Sequence, residues 1–447
     1  MKKEPNVNVA ILSENSIEFI LYGDFSANFS EDIFNGKISA VCADNKIIIR
    51  TISNEYSETE EIIFSPTDEN SDTFLLKNVT IGLHFHWEQK QNQQFAGKLK
   101  LIISAGKLTV INIVPVEQYL KSVISSEMSP TSSLELLKAH AIISRSWLLA
   151  QMENRLKAKI KNKNIIIENN SEDEIIKWYD REDHSLFDVC ADDHCQRYQG
   201  ITKNYAHNAD SAVKATTGLV LWYGNNICDT RFSKSCGGIT ETFENVWENV
   251  PHQYLKSFVD YKFEPDGYKT DLVDEETAFK WISNSPVSFC NTNDPKIIEQ
   301  VLNNYDQTTT DFYRWSVNYT QDEISEIIKK KSGINFGKII DLIPLMRGHS
   351  GRIIKLKIVG TLKTLVVGKE LEIRKYLSLT HLYSSAFIIE KENIENNIPS
   401  TFKLIGAGWG HGVGLCQIGA AVMGEKGYRF DEILLHYFRG AQIKKIY

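Results

Sequence analysis

Long hydrophobic runs are absent from the sequence, which has no segment of the roughly 18 consecutive apolar residues that a membrane-spanning helix needs. The start of the chain, MKKEPNVNVAILSEN, contains two lysines but neither the apolar core nor the small-residue cleavage site of a secretory signal. We therefore expect no transmembrane segment. The protein is expected to be either cytoplasmic or exported by a signal that this sequence does not contain.

A strong excess of positive charge is also missing. The net charge is -7 at pH 7, so the chain offers little basic surface that could release counterions from DNA or RNA. We expect no nucleic-acid partner, whereas a neutral polymer such as a glycan is not excluded. Aromatic residues make up 11% of the chain, which suits stacking on sugars, although most aromatic side chains pack in protein cores.

Cysteines are few and scattered, and their odd number, seven, does not indicate a disulfide framework. With 42% hydrophobic and 24% charged residues, the composition is typical of a globular protein. A length of 447 residues predicts two or three domains at about 150 residues per domain.

Residues 1–108 are predicted to form a β-rich accessory domain. The stretch KLKLIISAGKLTVINIV alternates in the manner of strands, and Ala105-Gly106 in its middle indicates a hairpin turn. His84 and His86 lie two residues apart, so on a strand they would share a face and could bind a metal. A half-buried aromatic strand explains the same stretch more simply.

Residues 109–447 mix helix and strand patterns, so the predicted fold class is α+β. We expect a surface excursion at 151–179 and a polar, loop-rich insertion at about 261–315 with a short helix at most. QDEISEIIKKKSG is an amphipathic helix closed by Gly333. GRIIKLKIVGTLKTLVVGKELEIRKYL is a pair of strands followed by a turn, and a final helix lies near DEILLHYF.

Two helices are predicted to meet at a corner near residue 130. Pro115 opens the first helix at its first position, where the missing N–H has no cost, and Pro130 ends it. Ser132 and Glu135 have the spacing of a capping box for the second helix.

Glu127 lies on the apolar face of the first of these helices. Val116, Leu120 and Val123 form a stripe of helical spacing, which Glu127 continues one turn further. A carboxyl group that loses hydration favours its protonated form, the state needed in a general acid. The structural alternatives are a buried ion pair with Arg145 or an exposed position at the helix end, and spacing alone favours them.

A possible metal site lies in HSLFDVCADDHCQRYQG. His184, Cys190 and Cys195 have the spacing H-x5-C-x4-C and offer the donors that Zn²⁺ prefers. His194 is an alternative nitrogen donor, although its position next to Cys195 would strain the chelate. Two buried cysteines with surface histidines, or a local disulfide in an oxidising compartment, are the other interpretations.

Two further segments are candidates for a binding wall. In RFSKSCGGITETFENVW, Gly237 follows Cys236 and indicates a tight turn; a nucleophilic cysteine there would need a nearby base. In GAGWGHGVGLCQIGA, glycines alternate with other residues, among them Trp409 and His411. The strand and helix of a phosphate-binding fingerprint are not in register with this repeat. Close approach of a ligand to the backbone and purely steric packing explain the repeat equally well.

Five segments in this order resemble the stage II sporulation protein D family, whose domain is called SpoIID/LytB. The resemblance covers roughly residues 110–445. The segments are VPVEQYLKSVISSEMSPTSSLELLKAHAIISRSW, DVCADDHCQRYQG, AVKATTGLVLWYG, SKSCGGITETFENVW and GAGWGHGVGLCQIGA.

The resemblance implies a lytic transglycosylase that acts on peptidoglycan, expected on strands stripped of their stem peptides, in a substrate groove of the second domain. In that family the catalytic acid is the Glu of the EM motif, here Glu127, which would act first as acid and then as base. A His and two Cys placed like His184, Cys190 and Cys195 bind zinc in the family, and we expect a structural Zn²⁺.

The resemblance also implies partners and alternatives. Some relatives are enhancers of a separate cell-wall amidase, so a non-catalytic enhancer is the main alternative, followed by a zinc-dependent amidase. The inferred substrate indicates the cell envelope, or the cytoplasm if the protein acts on recycled wall fragments. Arg145 is expected to hold a muramyl carboxylate if it does not pair with Glu127. The candidates for the substrate-binding groove are Arg145, Tyr198, Ser235, Gly237, Trp409, His411 and Gln417.

Overall fold

The computed structural model describes most of the chain. His84, His86 and His194, named above as candidate metal ligands, lie outside the described residues. The described ranges are 3–59, 61–82, 88–129, 132–161, 168–178, 184–192, 195–202, 207–302 and 310–447.

The described residues of the first part of the chain form ten strands of one large sheet, because apolar residues alternate along them and share a buried face. The predicted hairpin is confirmed: Ala105 and Gly106 both have positive φ angles and join two antiparallel strands. The strands are β1 (Asn6–Glu14), β2 (Ser16–Ala27), β3 (Ser30–Ala43), β4 (Lys46–Arg50), β5 (Glu55–Glu58), β6 (Ile62–Pro66), β7 (Thr73–Ile81), β8 (Gln89–Ala96), β9 (Lys98–Ser104) and β10 (Lys107–Pro115).

Helices and short strands follow directly. Pro115 ends β10 and is the N-cap of the first helix, whereas the prediction made it the first helical residue. The second helix takes its cap from Ser133, whose Oγ accepts from the N–H of Leu136, because the Ser132 hydroxyl donates instead to the carbonyl of Gln300. The elements are α1 (Val116–Glu127), α2 (Leu134–Lys161), β11 (Glu168–Asn170), β12 (Glu174–Lys177), β13 (Val189–Cys190), α3 (His207–Ala215), β14 (Leu219–Tyr223), β15 (Asn226–Ile227) and β16 (Phe232–Ser233).

The middle of the chain builds two smaller sheets with helices against them. The amphipathic helix at 321–332 is confirmed, with a capping box between Thr320 and Glu323 and a left-handed Gly333 at its end. The elements are a 3-10 turn (Phe243–Asn245), α4 (Glu275–Ile282), α5 (Pro295–Val301), β17 (Arg314–Thr320), α6 (Gln321–Ser332), β18 (Ile339–Arg347), β19 (Ile353–Gly360), β20 (Thr364–Gly368), α7 (Glu370–Tyr376), β21 (Phe387–Glu395) and β22 (Ile398–Ala407).

Three predictions for this part were wrong. In the described part of 151–179 the chain is not an excursion, since residues to 161 extend α2 and residues 174–177 form β12, which pairs in parallel with β20. The described residues of 261–315 include two short helices, α4 and α5, rather than one at most. The segment after β20 is a helix, α7, and not a turn.

The end of the chain returns to the first helices. The final helix is confirmed, and a helix that the sequence patterns did not predict precedes it. The elements are β23 (Leu415–Cys416), α8 (Gln417–Glu425), α9 (Phe430–Tyr437) and β24 (Gln442–Lys445).

The predicted α+β fold class is confirmed. One buried cluster of apolar side chains runs from the first sheet into α1, α2, α8 and α9. The predicted boundary at residue 108 falls within β10, and the division into two domains remains a prediction. Within the described ranges, none of the helices combines the length and the apolar character needed to span a bilayer.

A buried ion pair fastens α1 to α2 and to the end of the chain. Arg145 is fully buried, and its Nε and Nη2 donate to the two carboxylate oxygens of Glu117 at 2.9 and 2.6 Å. The same carboxylate accepts from the N–H of Gly218 and from the hydroxyl of Tyr447. Bidentate pairs of this kind are strong and directional, so four parts of the chain are fixed at one point.

Replacing Glu117 by alanine should lower the free energy of unfolding by about 3 kcal/mol, because Arg145 would stay buried without its counter-charge. Urea denaturation followed by tryptophan fluorescence measures the change. The exposed Glu299 of α5, replaced by alanine, is the control and should change stability by no more than about 0.5 kcal/mol. Equal stability of the two variants would contradict the importance of the pair.

Candidate active site

Glu127 is the last residue of α1, and the apolar stripe predicted before it is confirmed. Val116, Leu120 and Val123 are fully buried, while the Glu127 side chain is half-buried. Its Oε1 accepts a hydrogen bond of 3.0 Å from the backbone N–H of Arg197. None of the salt bridges formed within the described ranges includes Glu127. A backbone donor, rather than a cation, therefore holds the carboxyl group.

The predicted ion pair between Glu127 and Arg145 is wrong, because Arg145 binds Glu117. Glu117 lies ten residues earlier in α1, about 15 Å along the helix axis and on a different face. The predicted contact of Arg145 with a substrate carboxylate is also wrong in this structure, since the side chain has no exposed surface.

His140 of α2 is a buried neighbour of this site that sequence reasoning missed. Its Nδ1 lies 3.3 Å from the Ser144 hydroxyl, and its Nε2 lies 3.3 Å from the side-chain nitrogen of Gln417. Burial lowers the pKa of His140 to about 4, although the negative charge of Glu127 acts in the opposite direction. The ring is therefore neutral at pH 7. A histidine among the apolar residues of LELLKAHAIISRSW was the signal that could have identified it.

Gln417 connects the neighbourhood of Glu127 to the glycine tract, residues 406–414. It begins α8, and its side-chain nitrogen lies 3.9 Å from the sulfur of Met128, the residue that follows Glu127. The side chain is only 3% exposed. Gln417 therefore contacts the protein interior rather than an open groove, contrary to its predicted role.

His184, Cys190 and Cys195 converge in the structure. Their ligand atoms all lie within 4.8 Å of one another, and the Cys195 sulfur is 3.4 Å from Nε2 of His184. Zinc bond lengths in a tetrahedral site would separate such a sulfur and nitrogen by about 3.5 Å. Neither cysteine forms a disulfide, so the predicted alternative of a local disulfide is wrong in this structure. The donors and spacing fit a zinc ion.

The described residues of the segment with the two cysteines, 189–192 and 195–199, form a strap along α1. Its first residues, β13, pair in parallel with β1 at the edge of the large sheet. Further along, the N–H of Gln199 donates to the Ser122 hydroxyl at 3.1 Å, and the N–H of Arg197 donates to Glu127. Whatever fixes the strap therefore also fixes the hydrogen bond to Glu127.

Tyr198 belongs to the core of this region and not to an exposed groove wall. The side chain is 3% exposed, stacks on Tyr119 at 5.1 Å, and donates from its hydroxyl to Oδ1 of Asn112 at 2.6 Å. It borders a cavity of about 670 Å³ on the side of the strap where His184 lies. Its predicted contact with a glycan is thus replaced by packing that supports the strap.

The glycine tract is explained by close contacts within the protein. A side chain at Gly412 would meet the guanidinium of Arg352 at 2.4 Å, and one at Gly406 would meet the ring of Trp315 at 2.1 Å. Gly414 is pressed equally closely against the carbonyl oxygen of Arg231. Of the two interpretations that the sequence left open, the structure therefore favours steric packing.

Ser235, Gly237 and Cys236 are buried in the turn that packs against this tract. The backbone of Ser235 exchanges two hydrogen bonds with that of Trp409, and the Gly237 carbonyl accepts from the Trp281 ring nitrogen. The predicted roles of Ser235 and Gly237 in an open groove are therefore wrong in this structure. Burial also raises the pKa of the Cys236 thiol, which does not favour a nucleophile.

Trp409 retains partial exposure beside the turn. Its ring stacks on Tyr383 with centroids 4.1 Å apart and contacts Phe312 at 4.8 Å. One face of the indole is thus occupied by Tyr383, and the partly exposed remainder can contact a ligand.

His411 lies in an aromatic and cationic cluster. Its ring contacts Trp247 edge-on at 4.9 Å, and the guanidinium of Arg231 lies 4.1 Å from the centre of the same indole. Arg231 pairs with Asp229 at 2.6 Å, but its Nε and Nη1 make no hydrogen bond within the described ranges. Sequence reasoning missed Arg231 and Trp247, although they are the first and last residues of the motif RFSKSCGGITETFENVW.

The fold and the site define an α+β protein with a helix-end glutamate beside a His-Cys-Cys triad. Residues 104–223, which include all four of these residues, match the family model described as stage II sporulation protein. Residues 241–414 match a second model, described as a domain of unknown function (DUF8618).

Curated relatives agree with the first match. Stage II sporulation protein D of Bacillus subtilis is 26% identical over 74% of this chain and 75% of its own length. An uncharacterized protein of Brachyspira hyodysenteriae is 26% identical over 78% and 72%. The amidase enhancer of Bacillus subtilis is 24% identical over 72% of this chain, which spans only 40% of that protein. These matches confirm the predicted resemblance to the stage II sporulation protein D family, with the family model matching residues 104–223.

Replacing His140 by glutamine should remove part of the acid sensitivity of folding. The pKa of His140 is about 4 in the folded protein against an ordinary value near 6.5, so the unfolded chain binds the extra proton first. The neutral His140 ring contributes about 3 kcal/mol to the free energy of unfolding above pH 6.5, and this contribution is lost as the pH falls towards 4. Urea titrations at several pH values measure how steeply the free energy of unfolding depends on pH.

The matched control is His349→Gln, since His349 lies on the surface beside Asp271. It should leave the pH slope between 6.5 and 4 close to that of the wild type. If the free energy of unfolding of His140→Gln depended on pH as steeply as that of the control, the assignment of a neutral, buried imidazole would be contradicted.

Proposed function

We propose that the protein is a lytic transglycosylase that acts at the cell envelope on peptidoglycan, with Glu127 as its catalytic residue. It would cleave the bond between N-acetylmuramic acid and N-acetylglucosamine in strands that have lost their stem peptides. The observation that carries the proposal is the position of Glu127: half-buried, held by a backbone N–H, and within the segment that matches the SpoIID domain.

A single carboxyl group is sufficient for this reaction, whereas a hydrolytic glycosidase usually needs two. Protonated Glu127 would donate its proton to the glycosidic oxygen as the bond from that oxygen to C1 of the muramic acid breaks. The resulting carboxylate would take the proton of the C6 hydroxyl as that oxygen bonds to C1. The product is a 1,6-anhydro end, no water is consumed, and Glu127 regains its proton.

The surroundings of Glu127 suit a residue that changes between acid and base. The N–H of Arg197 binds Oε1 and orients the carboxyl group, which leaves Oε2 to carry the transferred proton. His140 is neutral at pH 7, so it places no permanent cation beside the group. Both protonation states that the reaction needs are therefore compatible with these neighbours.

The glycan would lie against the half-exposed rings of Trp247, His411 and Trp409. Indole rings stack on the apolar faces of sugars. Arg231 lies buried behind this surface and would support it by packing on the Trp247 ring rather than by contacting the substrate.

Zinc would be held by His184, Cys190 and Cys195, and it would act on the structure rather than on the reaction. Bound there, it would join the start of the strap to its middle and so fix the N–H that orients Glu127. The proton transfers above need no Lewis acid, so a zinc-dependent amidase is not favoured.

A non-catalytic enhancer of a cell-wall amidase is the second candidate, favoured by the similarity to the amidase enhancer. In this case the same clusters would bind the glycan and present it to the amidase, and Glu127 would not take part in chemistry. The two functions differ in one product, because only the transglycosylase forms anhydro-muropeptides.

The change Glu127→Gln should lower turnover on purified denuded glycan by about 10²-fold or more, because the amide cannot donate the proton. Glutamine keeps an oxygen for the N–H of Arg197, so the fold should be unchanged. Mass spectrometry of digested sacculi, with and without amidase pretreatment, measures the 1,6-anhydro products.

The matched control Glu299→Gln changes an exposed glutamate of α5 and should retain wild-type turnover. Near-wild-type turnover in Glu127→Gln would refute the catalytic role. Glycan binding without anhydro products in the wild type would instead favour the enhancer.

Removing the metal ligands should lower activity and thermal stability together. In Cys190→Ser/Cys195→Ser, the strap loses its anchor, so we expect a lower melting temperature in parallel with loss of turnover. Cys42→Ser, in β3 and outside the triad, is the control for a lost thiol. Loss of turnover at an unchanged melting temperature would argue for a catalytic metal and against this assignment.

A further inference from the structure

Four metal-binding groups that are distant in sequence meet in the core. One ligand atom from each of Cys236, Asp260, Cys290 and Cys416 lies within 4.8 Å of the others. Each of these residues is 2% exposed or less, and the outer two are 180 residues apart. The set, here named the thiol cluster, shares no residue with the His184 triad.

The distances within the thiol cluster match tetrahedral zinc coordination. The sulfur atoms of Cys236 and Cys290 are 3.6 Å apart, and the Cys236 sulfur is 3.4 Å from Oδ2 of Asp260. Ordinary zinc–sulfur and zinc–oxygen bonds at tetrahedral angles give about 3.8 and 3.5 Å. A sulfur–sulfur distance of 3.6 Å is too long for a disulfide bond, and neither Cys236 nor Cys290 forms one.

The four groups are enclosed by the protein core, so as metal ligands they would carry their negative charge away from water. A buried charge is costly unless it is paired or coordinates a metal. A divalent cation at the centre of the cluster would supply that counter-charge.

A second layer of groups orients the ligands. Oδ1 of Asp260 accepts from the Tyr437 hydroxyl at 2.8 Å and lies 3.2 Å from Nε2 of His436, which leaves Oδ2 turned towards the sulfurs. The Cys416 sulfur accepts from the N–H of Gly419, where an added side chain would meet Asp260 at 2.5 Å. Outer-layer hydrogen bonds of this kind are typical of metal sites.

Two arginines, the buried Arg352 and the half-buried Arg314, lie next to the thiol cluster. Nη1 of Arg352 donates to the carbonyl of Cys236 at 3.2 Å, and Nη1 of Arg314 donates to the carbonyl of Gly237 at 3.1 Å. Three thiolates and one carboxylate would leave a net negative charge around a divalent cation. The guanidinium groups would offset that charge, so their presence is compatible with a metal here.

We propose that Cys236, Asp260, Cys290 and Cys416 bind a structural Zn²⁺. With four protein ligands the site is closed, as structural zinc sites are, and it leaves no position for water or substrate. The ion would join β16 and β23 to the loops that carry Asp260 and Cys290. It would therefore link the segment that matches the domain of unknown function to the rest of the chain.

Zinc content per chain tests the proposal, measured by plasma mass spectrometry on full-length protein after dialysis against metal-free buffer. The variant Cys190→Ser/Cys195→Ser removes two ligands of the triad, and we expect it to retain one zinc ion per chain. Adding Cys290→Ser should remove that ion. Adding Cys228→Ser instead, a buried cysteine outside the cluster, should leave it in place.

A second variant, which changes a residue that orients a ligand, tests the proposal if Cys290→Ser does not fold. His436→Gln keeps all four ligands but changes the partner of Asp260, and it should weaken zinc retention against a chelator by about 10-fold to 100-fold. In the cobalt-substituted protein, the thiolate-to-metal absorption should persist in Cys190→Ser/Cys195→Ser.

The proposal is overturned if folded Cys190→Ser/Cys195→Ser contains no stoichiometric zinc and takes up none from added Zn²⁺. It is also overturned if that variant loses no zinc on removal of Cys290 while remaining folded. Neither result depends on glycan cleavage, so the outcome is separate from that of the proposed transglycosylase activity.

Discussion

The packing of the strap along α1 is the constraint on which the candidate site depends. In its described residues the strap contains only two residues of regular strand. Its position is set by pairing with β1 and by three hydrogen bonds with α1, which involve Gln196, Arg197 and Gln199. The donor that orients Glu127 is a backbone N–H of this strap. The catalytic proposal therefore rests on tertiary contacts and not on the helix alone.

Local sequence patterns correctly predicted the elements that neighbouring residues determine. The Ala105-Gly106 hairpin and the capped helix at 321–332 follow from turn residues and caps, and the stripe that ends at Glu127 follows from helical spacing. The boundaries of α2 and β12 were missed, because a polar stretch became part of a helix and a sheet through partners far along the chain.

Site residues were predicted less well wherever the partner was distant in sequence. Arg145 was expected to pair with Glu127 or to hold a substrate carboxylate, and nothing in the sequence showed that Glu117 would be its partner. Exposure was overestimated for Tyr198 and Ser235, because aromatic and glycine-rich motifs have the same composition in a groove and in a core. The thiol cluster has no sequence spacing that could have revealed it.

Pairing between β16 and β23 has a consequence for how the chain folds. Phe232 lies opposite Leu415, so this contact closes a loop of nearly the same length as the 180-residue separation of Cys236 and Cys416. The entropy of closing so long a loop is reduced only when the intervening chain is already compact. We therefore expect the sheets of the middle segment to form before the junction between β16 and β23 closes.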